Sequence, residues 1–371
     1  MRPVLGVVAL VAVVVAAVVV VAVVRKRRRR RVSAPAAEDA AAAVSAPLQE
    51  PPTEEREEEE EEEEEEKPAA VVRRRRSTLD GPGVAMAVSA YGMCGRRDSM
   101  QDAHFVVADK KGAVAAVFDG CGGPRASALC ADALRDDDVA RKTLRDAAAP
   151  GAATAAFLGE LERRVLDESK KGGWIDATTA VVCSANARRV AVAWLGDSRA
   201  VLARHDDEHD DAKSALAAVT LTEDHNAANP AEARRVRAAG GAVGRSEHEA
   251  YASKARSLLG KFAPGLAFKA NKRSAMRVYP GGIALTRCIG ARPLKRHKVV
   301  TAAAQTTTLA CDGSEAFLIL ACDGVWDVMD ADAAVRVCAS VAPEKAAETL
   351  VYHAHAKGSN DNLTAVVLSW P

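Results

Sequence analysis

Apolar residues fall along this chain in three kinds of run, and each kind predicts a different element. The first is unbroken: residues 4–24 are Val, Ala, Leu and Gly without one charge. As a helix such a run spans roughly 30 Å, the thickness of a bilayer core. The second kind is short and rich in β-branched residues. Residues 113–118, 180–184, 190–195, 200–203, 317–321 and 363–368 have this form and are expected to be strands. The third kind repeats at helical spacing, over 126–134, 152–171, 230–239, 332–341 and 343–355. Asn229 and Pro230 supply one of these helices with an N-cap and a first-turn proline. Residues 190–204 carry Gly196-Asp197-Ser198 at their middle, which predicts a hairpin. Grouped strands, helices between the groups and hairpin signals together predict an α+β fold with antiparallel sheets.

Charge changes the picture at the N-terminus. Residues 25–31 are all Arg or Lys, whereas the other flank of the apolar run offers Arg2 and the α-amine. The positive-inside bias puts the C-terminal side in the cytosol. Residues 1–31 therefore read as a single-pass transmembrane anchor with a basic flank, holding the rest of the chain at a membrane. A cleaved signal peptide is the alternative. The long apolar run and the lack of a clear Ala-x-Ala site before the basic block weigh against it. Residues 32–83 read as a disordered charged linker. Ala and Pro lead, residues 54–66 are glutamate except Arg56, and residues 73–76 are four arginines. Like-charge blocks of this kind cannot bury enough apolar surface to fold alone. A solvated spacer is the simplest reading. The first basic block could also hold anionic headgroups, and the acidic run could fold back on a basic surface.

Residues 84–371 remain, enough for one large domain with a substantial core. Of the 371 residues 49% are apolar but only 4% aromatic, so that core must be built from Val, Leu, Ile and Ala. The net charge of +1 conceals blocks of opposite sign. The eight cysteines form no Cys-x-x-Cys pair and no ligand spacing with histidine, as expected of free thiols in a reducing compartment. The basic runs lack interleaved aromatics and any nucleic-acid motif, so no nucleic-acid partner is expected. A monomer is expected.

The candidate chemistry sits at strand ends. Asp119, Asp323 and Asp361 lie in Phe118-Asp119-Gly120, Cys322-Asp323-Gly324 and Asn360-Asp361-Asn362, each beside an apolar strand-like run. Carboxylates that converge repel one another unless a hard divalent cation sits between them. A Mg²⁺ or Mn²⁺ site is the sharper reading; three separate Asp-closed turns is the plainer one.

The neighbouring residues favour the first. Gly95-Arg96-Arg97-Asp98-Ser99-Met100-Gln101-Asp102 and Phe118-Asp119-Gly120-Cys121-Gly122-Gly123 resemble the opening motifs of the metal-dependent protein phosphatases, the type 2C class of serine/threonine phosphatases. Thr178-Thr179-Ala180, Gly196-Asp197-Ser198-Arg199, Asp224-His225, Gly281-Gly282-Ile283-Ala284-Leu285-Thr286-Arg287, Asp323-Gly324-Val325-Trp326-Asp327 and Ser359-Asn360-Asp361-Asn362 continue the series in order. The resemblance implies a four-layer α-β-β-α sandwich of two antiparallel sheets flanked by helices. It implies hydrolysis of phosphoserine and phosphothreonine in protein substrates by a metal-activated water, with two Mg²⁺ or Mn²⁺ ions and a weaker third. Asp119 would bridge the two metals, Asp323 and Asp361 would complete one shell, and Gly120 would lend its carbonyl to the other. Asp102 would order water from behind, Arg97 would grip the phosphate, and Asp197 would hold the third ion. Asn362 would support the site by hydrogen bonding, and Asp327 matches an acidic position near the metals.

Three residues depart from the family pattern. Gln101 stands where glutamate is usual, which should weaken the second metal. Cys121 stands where many members have a histidine; beside two cations its thiol should have a lowered pKa. Gly290-Ala291 replaces Gly-Asp. These departures support a rival reading, an inactive pseudophosphatase that binds phosphoproteins as a scaffold. Residues 243–279 are longer than the family minimum and carry Lys254, Arg256, Lys261, Lys269, Lys272 and Arg273, a solvated insertion or a basic docking surface.

Overall fold

The computed structural model describes residues 86–205, 216–247, 249–251, 275–296 and 298–371. The expected anchor (1–31), the linker (32–83) and the six basic residues of the insertion lie outside the described residues. Among the described residues, no helix is long and apolar enough to cross a membrane.

In chain order the domain opens with strands β1 (Ala87–Met93), β2 (Ala103–Asp109), β3 (Gly112–Phe118) and β4 (Gly120–Cys121). Helices α1 (Arg125–Asp136), α2 (Asp138–Asp146) and α3 (Pro150–Gly172) follow. Next come β5 (Ala177–Thr178), β6 (Ala180–Ala185), β7 (Arg189–Leu195), β8 (Arg199–His205) and β9 (Leu216–Thr220). Helix α4 (Pro230–Ala238), β10 (Ala242–Gly244), β11 (Arg277–Tyr279), β12 (Ile289–Gly290) and α5 (Arg292–Lys295) form the next stretch. The chain closes with β13 (Gln305–Ala310), β14 (Glu315–Ala321), α6 (Asp323–Trp326), α7 (Ala331–Ala339), α8 (Ala346–Ala356) and β15 (Leu363–Ser369).

Two five-stranded antiparallel sheets dominate, ordered β1-β15-β14-β8-β9 and β13-β7-β6-β3-β2. The period-2 alternation of β14 shows why they stack. Leu318 and Leu320 face the second sheet and pack with Val117, Val181 and Val192. Phe317 and Ile319 face the other way, onto Val335 of α7 and Leu350 of α8. On the far side Val114, Ala116 and Phe118 of β3 pack against Leu134 of α1 and Leu158 and Leu161 of α3. Three apolar layers thus separate helices, sheet, sheet and helices. Each fully buried leucine contributes ~1.5–3 kcal/mol of transfer free energy.

One expected element is corrected. Residues 190–204 do not form a hairpin. β7 pairs with β6 and β13, whereas β8 pairs with β14 and β9. The turn at Gly196-Asp197-Ser198 therefore carries the chain from one sheet to the other. A glycine-rich turn between two β-runs is the same local signal in either case; which strand each run pairs with is a tertiary choice.

Candidate active site

The crossing turn places Asp197 between the sheets. Asp119 follows β3 of one sheet, Asp323 follows β14 of the other, and Asp361 precedes β15. Glycines enforce the convergence. A Cβ on Gly120 would lie 2.1 Å from the Gln101 carbonyl oxygen, and one on Gly324 would lie 2.0 Å from the Asn362 carbonyl oxygen. Only a residue without a side chain lets these backbones meet.

The backbone of Asp119 is clamped on both sides. Its N–H donates to Thr179 Oγ1 at 3.1 Å. Its carbonyl accepts from Thr179 N–H and from Thr178 Oγ1, both at 2.9 Å. Thr179 Oγ1 in turn bonds Ser198 Oγ at 2.7 Å, which ties the Asp119 turn to the Asp197 turn. The Gly196 carbonyl accepts from His225 N–H at 2.8 Å, and the His225 ring stacks on Trp194. Arg199 forks onto Asp224 with bonds of 2.7 and 2.8 Å. The Thr-Thr, Gly-Asp-Ser-Arg and Asp-His motifs therefore hold the acids in place. Glu232 plays a similar part further out. Burial opposes its charge, but Arg287, Thr286 and Arg235 more than offset that and bring it down to about 2.

Asn362 joins the first and last motifs. Its Oδ1 accepts from Gln101 N–H at 2.8 Å, and its Nδ2 donates to the carbonyls of Cys94 at 2.9 Å and Ser99 at 3.0 Å. Gln101 Oε1 accepts from Gly123 N–H at 3.1 Å, so one lone-pair direction of the expected ligand oxygen is already used. Arg97 lies across the Asp361 loop. Its Nη2 donates to Asp361 Oδ2 at 2.5 Å and its Nε to the Asn360 carbonyl at 3.2 Å.

The electrostatics are those of crowded carboxylates. Burial first, then Asp323, Asp102 and Asp197, push Asp119 well above the usual carboxyl range. Asp197 is pushed well up by burial, then by Asp323 and Asp224. Burial raises Asp323 to about 6 despite its hydrogen bond with Asp119, and Asp327, Asp361 and Asp102 add to the rise. Asp102 also reaches about 6 through burial, although Thr364 and Cys322 hydrogen-bond its charged form. Asp327 is raised by burial and partly relieved by Arg199. Each of these acids keeps some accessible surface, Asp327 the most, so the cluster is enclosed by protein yet reachable from solvent.

The donor set fits a hard divalent cation: carboxylate, carbonyl and amide oxygens whose mutual repulsion such an ion would relieve. The side chains do not form a closed cage beforehand. Among the described residues, no three His, Cys, Asp or Glu side chains stand in ligand position. A cavity of about 660 Å³ between α1 and α3, lined by Asp132, Asp136, Arg163 and Asp167 among others, contains none of these acids.

The Cys121 thiol sits among these carboxylates. Burial, then Asp197 and Asp323, raise its thiol in the protein alone, and Arg277 and Arg97 only partly counter this. The lowering expected beside two cations concerns the metal-loaded site. Ala291 adopts a left-handed φ of 50° ahead of α5, a conformation that Asp tolerates better than Ala. Sequence reasoning did not single out Arg199, Asp224, Thr178, Thr179 or Ser198 as parts of the site. Their signal was present, since each lies within a motif of the ordered series.

This arrangement defines a phosphatase of the metal-dependent class, and comparison with known proteins agrees. The family described as Protein phosphatase 2C matches residues 86–363. A rice protein (Oryza sativa subsp. japonica), "Probable protein phosphatase 2C 67", is 30% identical over 296 residues, covering 74% of this chain and 72% of that protein. Human "Probable protein phosphatase 1N" is 31% identical over 292 residues, covering 75% of this chain and 59% of the human one. Among solved structures, a C. elegans sex determining protein superposes with a TM-score of 0.61 at 23% identity, covering 76% of this chain and 64% of that one. Serine-threonine phosphatase 2C from Toxoplasma gondii gives 0.58 at 20% identity, covering 78% and 96%. The chain belongs to the protein phosphatase 2C family and is a protein serine/threonine phosphatase. Nothing in these relationships supports the pseudophosphatase reading.

Proposed function

We propose that the protein hydrolyses phosphoserine and phosphothreonine in protein substrates, using two Mg²⁺ or Mn²⁺ ions and a weaker third. The observation that carries this is the convergence of Asp119, Asp323 and Asp361 from both sheets, where burial and the neighbouring carboxylates push the carboxyl groups of Asp119 and Asp323 up. Such ions, when bound, supply a hydroxide nucleophile at neutral pH and neutralise the phosphoryl oxygens. Asp119, Asp323, Asp361, the Gly120 carbonyl and Gln101 would hold the two, and Asp197 the third. Arg97 has its Nε and Nη2 edge engaged by Asn360 and Asp361, which leaves the Nη1 edge to grip a phosphate. Asp102, anchored by Thr364 Oγ1 at 2.8 Å, orients water behind the acids. Asn362 and Asp327 support the cluster.

The test is phosphate release from a phosphothreonine peptide by the full-length chain in Mn²⁺, Mg²⁺ or EDTA, with Asp323→Asn alongside. Turnover that needs metal and disappears in the variant is expected. A folded protein with no turnover at millimolar Mn²⁺ would sink the reading.

The apolar run at 4–24 and the basic block at 25–31 support a single-pass membrane anchor with the catalytic domain in the cytosol. Alkaline extraction of membranes should leave the chain in the pellet, and protease added to intact cells should spare the domain.

A further inference from the structure

Asn360 holds two arginines at once. Its main-chain carbonyl accepts from Arg97 Nε at 3.2 Å, and its side-chain carbonyl accepts from Arg96 Nη1 at 3.1 Å. The two guanidinium groups differ in charge balance. Arg97 is paired with Asp361 at 2.5 Å. Arg96 is exposed, and among the described residues its partner is this neutral amide and no carboxylate. The carbonyl and side-chain oxygens of one asparagine are held within about 5 Å by covalent geometry. With one hydrogen bond on each, of 3.2 and 3.1 Å, the two donor nitrogens sit within about 11 Å of one another.

That range contains the side-chain spacing of an extended peptide. Side chains two residues apart on one side of an extended chain are about 7 Å apart. A substrate that places its phosphate on Arg97 therefore brings the second residue before or after it within reach of Arg96.

We infer that Arg96 is a specificity-determining residue that pairs with an anionic side chain two residues from the phosphorylated serine or threonine. This rests on the reading of Arg97 as the phosphate grip. Asn360 fixes where the second cation stands, so it sets the register in which the flanking anion is read. The anion is a carboxylate or a second phosphate, both of which suit a guanidinium fork.

The test uses the full-length chain in Mn²⁺ and phosphothreonine peptides with Ala, Glu, Lys or a non-hydrolysable phosphonate two residues away. The native protein should favour Glu and phosphonate over Lys. Arg96→Ala should lower kcat/KM on those two by about three- to tenfold, the range of a partly exposed charge pair. It should leave the Ala peptide, p-nitrophenyl phosphate and the thermal midpoint unchanged. Arg96→Glu should reverse the preference toward Lys. A larger loss on phosphonate than on Glu assigns the position to a second phosphate, and the converse to a carboxylate. No charge preference in the native protein, or a preference that survives Arg96→Ala, would overturn the inference. Failure of the phosphatase reading shows differently, as no turnover of any peptide or of p-nitrophenyl phosphate. Anisotropy of labelled peptides then still reads Arg96, and equal Kd for the native protein and Arg96→Ala would overturn it.

Discussion

Arg97 and Asp361, 264 residues apart in the chain, form an ion pair with Nη2 and Oδ2 separated by 2.5 Å. The other oxygen of Asp361 accepts from Asn362 N–H at 2.7 Å. One carboxylate thus serves the proposed phosphate grip and the proposed metal together. A guanidinium and a cation draw on the same charge, so each weakens the hold of the other. Arg97→Ala is expected to lower kcat/KM on a phosphothreonine peptide by about a hundredfold or more, the cost of losing a transition-state charge donor. The same change should tighten Mn²⁺ binding about two- to fivefold. That gain is small because the side chains are 53% and 35% exposed, and exposed pairs contribute ~0.2–1 kcal/mol. Isothermal titration checks the second half. Weaker Mn²⁺ binding in the variant would mean that Arg97 supports the ligand instead of competing for it.

The raised acids make stability depend on pH in a sense opposite to ordinary acid denaturation. Asp102 and Asp323 reach about 6, and Asp119 and Asp197 are also pushed well up. A carboxyl whose folded pKa lies above its unfolded value stabilises the fold below the unfolded pKa. That contribution is lost as pH rises through the folded value. His104 and His225, lowered by burial, act the other way over part of the range. Comparing samples with and without cation isolates the acids, because protons and Mn²⁺ compete for the same oxygens. The rise in Tm on adding Mn²⁺ should therefore be larger at pH 7.5 than at pH 5. Scanning fluorimetry against EDTA measures it. Equal shifts at both pH values would remove the cluster as the binding site.

The strands that hydropathy disclosed are those at the middle of the two sheets. β3, β6, β7, β14 and β15 are buried along nearly their whole length and β8 over residues 200–203, so each carries an apolar run. The four edges, β1, β9, β13 and β2, were not expected. β13 reads QTTTLA with every second residue exposed, and half-exposed edges carry polar residues that hide them. The acids were legible because each stands at the end of a central strand. The threonines that clamp Asp119 were visible as a motif but not as clamps, since the hydrogen bond from the Asp119 backbone to a hydroxyl 60 residues away is a tertiary contact.

Gly324 tests how tightly the last two motifs must approach. Its Cβ position lies 2.0 Å from the Asn362 carbonyl oxygen, a backbone atom with no rotamer to escape by. Gly324→Ala should therefore destabilise the protein by ~1–3 kcal/mol, the cost of overpacking a fitted site. It should weaken Mn²⁺ binding as well, because Asp323 and Asp361 both move with the displaced backbone. Urea denaturation and titration give the two numbers. A stable variant with native Mn²⁺ affinity would show that the two loops do not need this contact.

Gln101 offers the cleanest change of charge. Its Oε1 accepts from Gly123 N–H and its main-chain N–H donates to Asn362 Oδ1. Glutamate can keep both bonds, so Gln101→Glu adds a negative charge and little else. Without cation that charge joins a cluster in which burial, and then neighbouring carboxylates, already raise Asp102 and Asp323 to about 6. The EDTA-treated variant should melt about 2–4 °C lower, as expected for ~1 kcal/mol in a domain of this size. With cation the same charge becomes attractive, and Mn²⁺ affinity should rise about tenfold, equivalent to ~1.4 kcal/mol. Turnover should then increase at micromolar Mn²⁺ and change little at saturation, because the variant alters occupancy and not the bound site. Opposite signs with and without metal are the signature of a residue facing the ions. A variant that loses stability in EDTA without gaining affinity would place Gln101 outside the coordination sphere, as a clasp on the Gly123 turn.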